Sequence, residues 1–98
     1  MPIQNKVRKQ KIERYYNLTS KALAIAKRAI LKSKSNLKKK QAKEIFTMVE
    51  CYLKDSRHFE NNLDYVNAYG CLNYAHGWLD AGARLKIFNV TDDKLFTI

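Results

Sequence analysis

The chain has 98 residues, a net charge of +10, a 46% hydrophobic fraction, one proline and three glycines. That length gives one domain near the lower limit for a single core, and the apolar fraction excludes disorder as the default state. Sparse Gly and Pro exclude a turn-rich all-β fold, and no stretch reaches the roughly 18–20 uncharged apolar residues of a membrane span.

The charge is lopsided. Residues 1–43 hold fourteen Lys or Arg against the single acid Glu13, whereas residues 44–98 hold five cations and eight acids. Such asymmetry points to a polyanion or an acidic protein surface, with plain solubility as the alternative. The charged first 30 residues lack the apolar centre of a secretory signal, and two cysteines make no disulfide framework. A soluble cytoplasmic protein is expected.

The first helix is predicted over about residues 6–33. Ile12, Tyr16, Thr19, Leu23, Ala26 and Ile30 recur at steps of four and three, which at about 100° per residue places them on one face. Leu18, Ala22, Ile25 and Ala29 widen that face, and Arg14, Lys21, Arg28 and Lys32 form a cationic ridge opposite. Lys32 to Lys40 reads as a connection in which Ser35 or Asn36 caps the next helix.

The second helix is predicted over about 36–54, with Ala42, Ile45, Phe46, Val49, Tyr52 and Leu53 inward. Lys38, Lys39 and Lys40 sit in its opening turn, where cations oppose the helix macrodipole. With Arg14, Lys21, Arg28, Lys32 and Lys34 they form the candidate polyanion-binding set. Asp55 to Asn62 is polar and reads as a turn.

The third helix is predicted over about 61–86, capped by Asn61 or Asn62. Tyr65, Ala68, Leu72, Ala75, Leu79 and Gly82 form its inner seam, flanked by Leu63, Cys71, Tyr74, Trp78 and Leu85 on one side and Tyr69 and Ala83 on the other. The apolar arc is wider than a three-helix bundle buries. Either the tail, residues 87–98 with Phe88, Leu95, Phe96 and Ile98, or a second copy of the chain covers the surplus. The fold class is therefore all-α, an up-and-down three-helix bundle with the tail packed on it, and the state monomer or homodimer.

Gly70, Asn73, Gly77, Asp80 and Arg84 share one face of the third helix, with His76 beside them. Each glycine in a helix interior costs about 1 kcal/mol relative to alanine, which suggests close approach of another backbone or a ligand. Asp80 and Arg84 have the spacing of an i, i+4 ion pair. This strip is the candidate docking face for a protein partner. A catalytic or small-ligand site around His76 and Asp80 is a weaker alternative, because all its groups lie on one helix. Cys51, His58, Cys71 and His76 supply zinc-ligand types without the short paired spacing of zinc motifs, so no metal or other cofactor is expected. Phosphate-cradling glycine loops and nucleophile elbows are absent from the sequence.

The run Asp64-Tyr65-Val66-Asn67-Ala68, followed by Tyr74-Ala75-His76-Gly77-Trp78-Leu79-Asp80-Ala81-Gly82, resembles the signature of a family of short archaeal proteins known as domain of unknown function 357. Asp55-Ser56-Arg57-His58-Phe59 and Leu95-Phe96-Thr97 are also similar to its pattern. The resemblance implies a three-helix bundle and an intracellular setting. It brings no activity, substrate or cofactor, but draws attention to His76, Gly77, Asp80 and Gly82.

Overall fold

The computed structural model describes residues 7–98, so the first helix's expected start at Lys6 lies outside the described residues. Three helices run up, down and up: α1 (Lys9–Leu31), α2 (Asn36–Asn61) and α3 (Tyr65–Arg84). No strand occurs among the described residues. The apolar stripes meet in one core of Ile12, Ala22, Leu23, Ala26 and Ile30 from α1, Ala42, Ile45, Phe46, Val49 and Leu53 from α2, and Ala68, Leu72, Ala75, Leu79 and Ala83 from α3.

α1 begins at Arg8, which has extended backbone and no capping side chain. α2 begins where expected, the Ser35 hydroxyl accepting from the Lys38 N–H at 3.1 Å. Its end is different. The helix continues through residues 55–61, which the sequence suggested were a turn. The inward rhythm of Val49 and Leu53 continues in Ser56 and Glu60, both buried. The Ser56 hydroxyl donates to the Leu53 carbonyl at 2.7 Å, and Arg57 binds Glu60 through Oε1 at 2.8 Å. The α3 cap is accordingly Asp64 rather than Asn61 or Asn62, its carboxylate accepting from the Asn67 N–H at 3.2 Å.

Both α2 and α3 close with paired reverse bonds. The Leu63 N–H donates to the Glu60 carbonyl and the Asp64 N–H to that of Phe59; Lys86 and Ile87 donate likewise to Ala83 and Gly82. This motif needs a left-handed residue, usually glycine. Here Leu63 (φ 61°) and Lys86 (φ 58°) occupy the position. Leu63 is also largely exposed, so its side chain gains little packing in return. Leu63→Gly is expected to raise stability by about 0.5–1 kcal/mol. A lower midpoint in chemical denaturation would contradict the strain argument.

The tail docks. Phe88, Leu95 and Phe96 are buried, and the Phe88 ring packs between Phe46 and Phe96, tilted to both, at centroid distances of 5.7 and 6.4 Å. Asp92 turns the chain, its carboxylate accepting from the N–H groups of Lys94 and Leu95. Gly82 makes this possible. A Cβ there would overlap the Phe88 ring and approach Ile45 Cδ1 to 3.0 Å.

Candidate functional site

The six residues of the α3 strip divide into two groups. His76 and Asp80, one turn apart, fasten the tail. His76 Nε2 lies 2.6 Å from the Leu95 carbonyl oxygen, which can only accept, so this nitrogen donates. In the neutral ring Nδ1 then accepts from the Thr19 hydroxyl at 3.0 Å. Both nitrogens are engaged, and the buried Thr19, read in sequence as part of an apolar stripe, has a polar task. The Asp80 carboxylate accepts from the Thr97 N–H at 2.9 Å and the Thr97 hydroxyl at 3.2 Å. The ion pair with Arg84 suggested by spacing is not formed, because Asp80 turns toward the tail.

Gly70, Asn73, Gly77 and Arg84 stay on the open side. Nothing lies within 4 Å of a Cβ built at Gly70 or Gly77, so among the described residues no close neighbour accounts for either glycine. Beside them stand Tyr74, 66% exposed, and Trp78, 39% exposed, which sequence reasoning placed on the flank of the seam. Tyr74 is braced by stacking on Tyr52 of α2 at 5.4 Å. Asn73, Tyr74, Gly77, Trp78 and Ala81 line a shallow depression of about 260 Å³. The abnormal width of the apolar arc was the signal for it.

Cys51 is exposed on α2 and His58 contacts Asn62 at the far end of that helix, whereas the part-buried Cys71 stands on α3 one turn before Tyr74. No group of three metal-ligating side chains converges among the described residues. Partial burial, with Asp55 and Asp64 nearby, pushes the Cys71 thiol above its ordinary range, which disfavours the reactive thiolate.

A family model described as "Protein of unknown function (DUF357)" matches residues 14–88. The chain belongs to this family. No curated protein and no solved structure matches it. The DUF357 match takes in nearly all of the three helices and closes on Phe88, leaving Leu95 and Thr97, the tail groups that His76 and Asp80 hold, beyond its edge.

The basic residues of this DUF357 chain are partly gathered and partly scattered. Up-and-down topology brings the end of α1, the start of α2 and the end of α3 to one pole. Arg28, Lys32, Lys34, Lys38, Lys39 and Lys40 fall there, joined by Arg84 and Lys86, which sequence reasoning had not included in the basic set. Residues 28–43 and 81–91 contain no acid. Arg14 is eighteen residues from Lys32, roughly 27 Å along the helix at 1.5 Å per residue, and Lys21 lies between them, nearer Arg14. Those two stand apart from the cluster. No helix among the described residues is long and apolar enough to cross a membrane.

Proposed function

We propose that the chain is a cytoplasmic, non-enzymatic interaction module that receives a partner protein's helix on the open strip of α3. The observation that carries this is the pairing of two unfilled glycine positions, Gly70 and Gly77, with the exposed rings of Tyr74 and Trp78. Bare backbone admits a second helix closely, and large aromatic side chains beside a small-residue groove are the usual anchors of protein contacts. The alternative of an enzyme built on His76 loses its base, because both ring nitrogens are committed to Thr19 and Leu95.

Gly77→Leu separates folding from docking. In an exposed helix interior leucine is favoured over glycine by most of 1 kcal/mol, so the variant is expected to melt higher while its docking weakens at least tenfold. A photoactivatable phenylalanine at Tyr74, used in the native host, should give a discrete cross-linked partner that Gly77→Leu abolishes; the same reagent at Lys21 should give none. Equal labelling at both positions, or an adduct indifferent to Gly77→Leu, refutes the docking face. A partner identical in mass to the chain identifies a homodimer.

A second reading, binding of RNA or DNA, is favoured by the acid-free cluster of cations at one pole. Several lysines neutralising phosphates give affinity that falls steeply with salt and shows little sequence preference.

A further inference from the structure

We infer that the cavity enclosed by the end of α1, the first turn of α2 and the turn after α3 is a seat for a phosphate group. The inference rests on the second reading above only for the sign of the ligand's charge. The cavity measures about 520 Å³ and is lined by Lys32, Lys38 and Lys86, with Ser33 and Asn89 on its wall and Phe88 at its apolar side. Three lysines from three separate elements thus border one space that no acid lines. Among the described residues none of the three has an ion-pair or hydrogen-bond partner for its side chain, the lysine ion pair being Lys27–Glu50 on the flank of the bundle.

Each lysine is held there against a local preference or by the topology. Lys38 occupies the first turn of α2, where a positive charge opposes the macrodipole and an anion is favoured. Lys86 occupies a left-handed position that glycine would fill with less strain. Lys32 follows α1 directly, and the up-and-down path brings it opposite Lys86. The Ser33 hydroxyl oxygen accepts from the Ser35 N–H at 3.2 Å, which leaves its own hydrogen to donate. A carboxylate would offset one of three positive charges and offer two oxygens. A terminal phosphate carries close to two negative charges and three acceptor oxygens, and lysine binds it as a point charge.

The group's source is either the end of a nucleic-acid strand or a small free phosphate, and titrations of the full chain followed by amide NMR distinguish them. The probes are inorganic phosphate, pyrophosphate, and a single-stranded decanucleotide with a 5′-phosphate or a 5′-hydroxyl. Saturable shifts centred on the amides of Ser33, Lys86 and Asn89 are expected for every phosphate-ended probe. A decanucleotide whose affinity drops about tenfold without its 5′-phosphate assigns the seat to a strand end; pyrophosphate binding as tightly as the phosphorylated strand assigns it to a small ligand. Lys38→Gln and Lys86→Asn should each weaken binding about tenfold, and Lys21→Gln should have no effect. Asparagine tolerates the left-handed backbone at residue 86, so that loss cannot be ascribed to unfolding. Shifts spread over the whole basic surface, with Lys21→Gln as damaging as Lys86→Asn and no preference for the 5′-phosphate, overturn the seat while leaving the polyanion reading intact. Absence of binding by every probe at about 50 mM salt, where counterion release still favours association, removes both.

Discussion

Phe88→Ala is expected to cost about 3–5 kcal/mol, the range for deleting a buried aromatic ring, and to lower the melting temperature by 15 °C or more in a domain of this size. The ring is 2% exposed and touches three parts of the molecule: Phe46 of α2, Phe96 of the tail and the bare backbone of Gly82 in α3. Its loss removes the plug between tail and bundle, so Leu95 and Phe96 lose their footing as well. Gly82 supplies a sharper test. In an ordinary helix interior Gly→Ala stabilises by about 1 kcal/mol, but here the added methyl collides with the Phe88 ring and Gly82→Ala should instead destabilise by about 1–3 kcal/mol. Combined with Phe88→Ala the collision disappears, and the same glycine change should become neutral or stabilising. That reversal of sign in a double-mutant cycle, read by chemical denaturation, is the mark of direct steric coupling. Gly82→Ala stabilising the parent chain would show that the ring does not sit against α3.

The stripes that make the bundle were legible because they are apolar and regular: the positions read as inward in α2 and as the α3 seam are buried, apart from the half-buried Tyr52 and Tyr65. The last two turns of α2 were not legible by that rule, because there the inward positions are Ser56 and Glu60. The four-three rhythm continues unbroken from Val49 through Leu53, Ser56 and Glu60, and an arginine three residues before the glutamate was the cue that a charge could face inward. His76 was conspicuous in sequence, yet its task depends on Thr19, fifty-seven residues earlier, and on a main-chain carbonyl in the tail. Neither partner has a pattern that sequence spacing reveals. The cationic pole shows the complementary case. Lysines at 32–40 announce themselves, but their joining with Arg84 and Lys86 is a product of topology. The glycines divide in the same way: Gly82 is explained by a ring packed on it, while Gly70 and Gly77 have no such neighbour among the described residues.

Arg57→Met should destabilise the protein by about 2 kcal/mol at neutral pH and should alter its response to acid. The Arg57 guanidinium lies 3.5 Å from the centroid of the Tyr16 ring and donates from Nη1 to Glu13 Oε1 at 2.9 Å and to Glu60 Oε1 at 2.8 Å, so one cation ties two acids and α1 to α2. Glu60 is only 7% exposed, and its Oε2 is buried without a partner. Withdrawing the cation leaves that carboxylate uncompensated beside Glu13. Loss of one member of a fully buried pair costs about 3–5 kcal/mol, and the smaller figure here reflects an arginine more than a third open to solvent. The cluster with Glu60 and the Arg57 guanidinium holds the Glu13 carboxyl below its ordinary range. A carboxylate whose pKa is lower folded than unfolded contributes stability above its unfolded value, and the contribution disappears as pH falls through the folded one. The parent chain should therefore lose this stabilisation on acidification below the usual glutamate range. In Arg57→Met the two acids face each other without their cation, so protonation relieves repulsion. Stability measured from pH 7 down to pH 3 should fall less steeply for the variant than for the parent, and the gap between them should narrow. Parallel profiles would mean that Arg57 acts through its contact with Tyr16 alone, and that the bond between α1 and α2 at this pole is one of packing rather than charge.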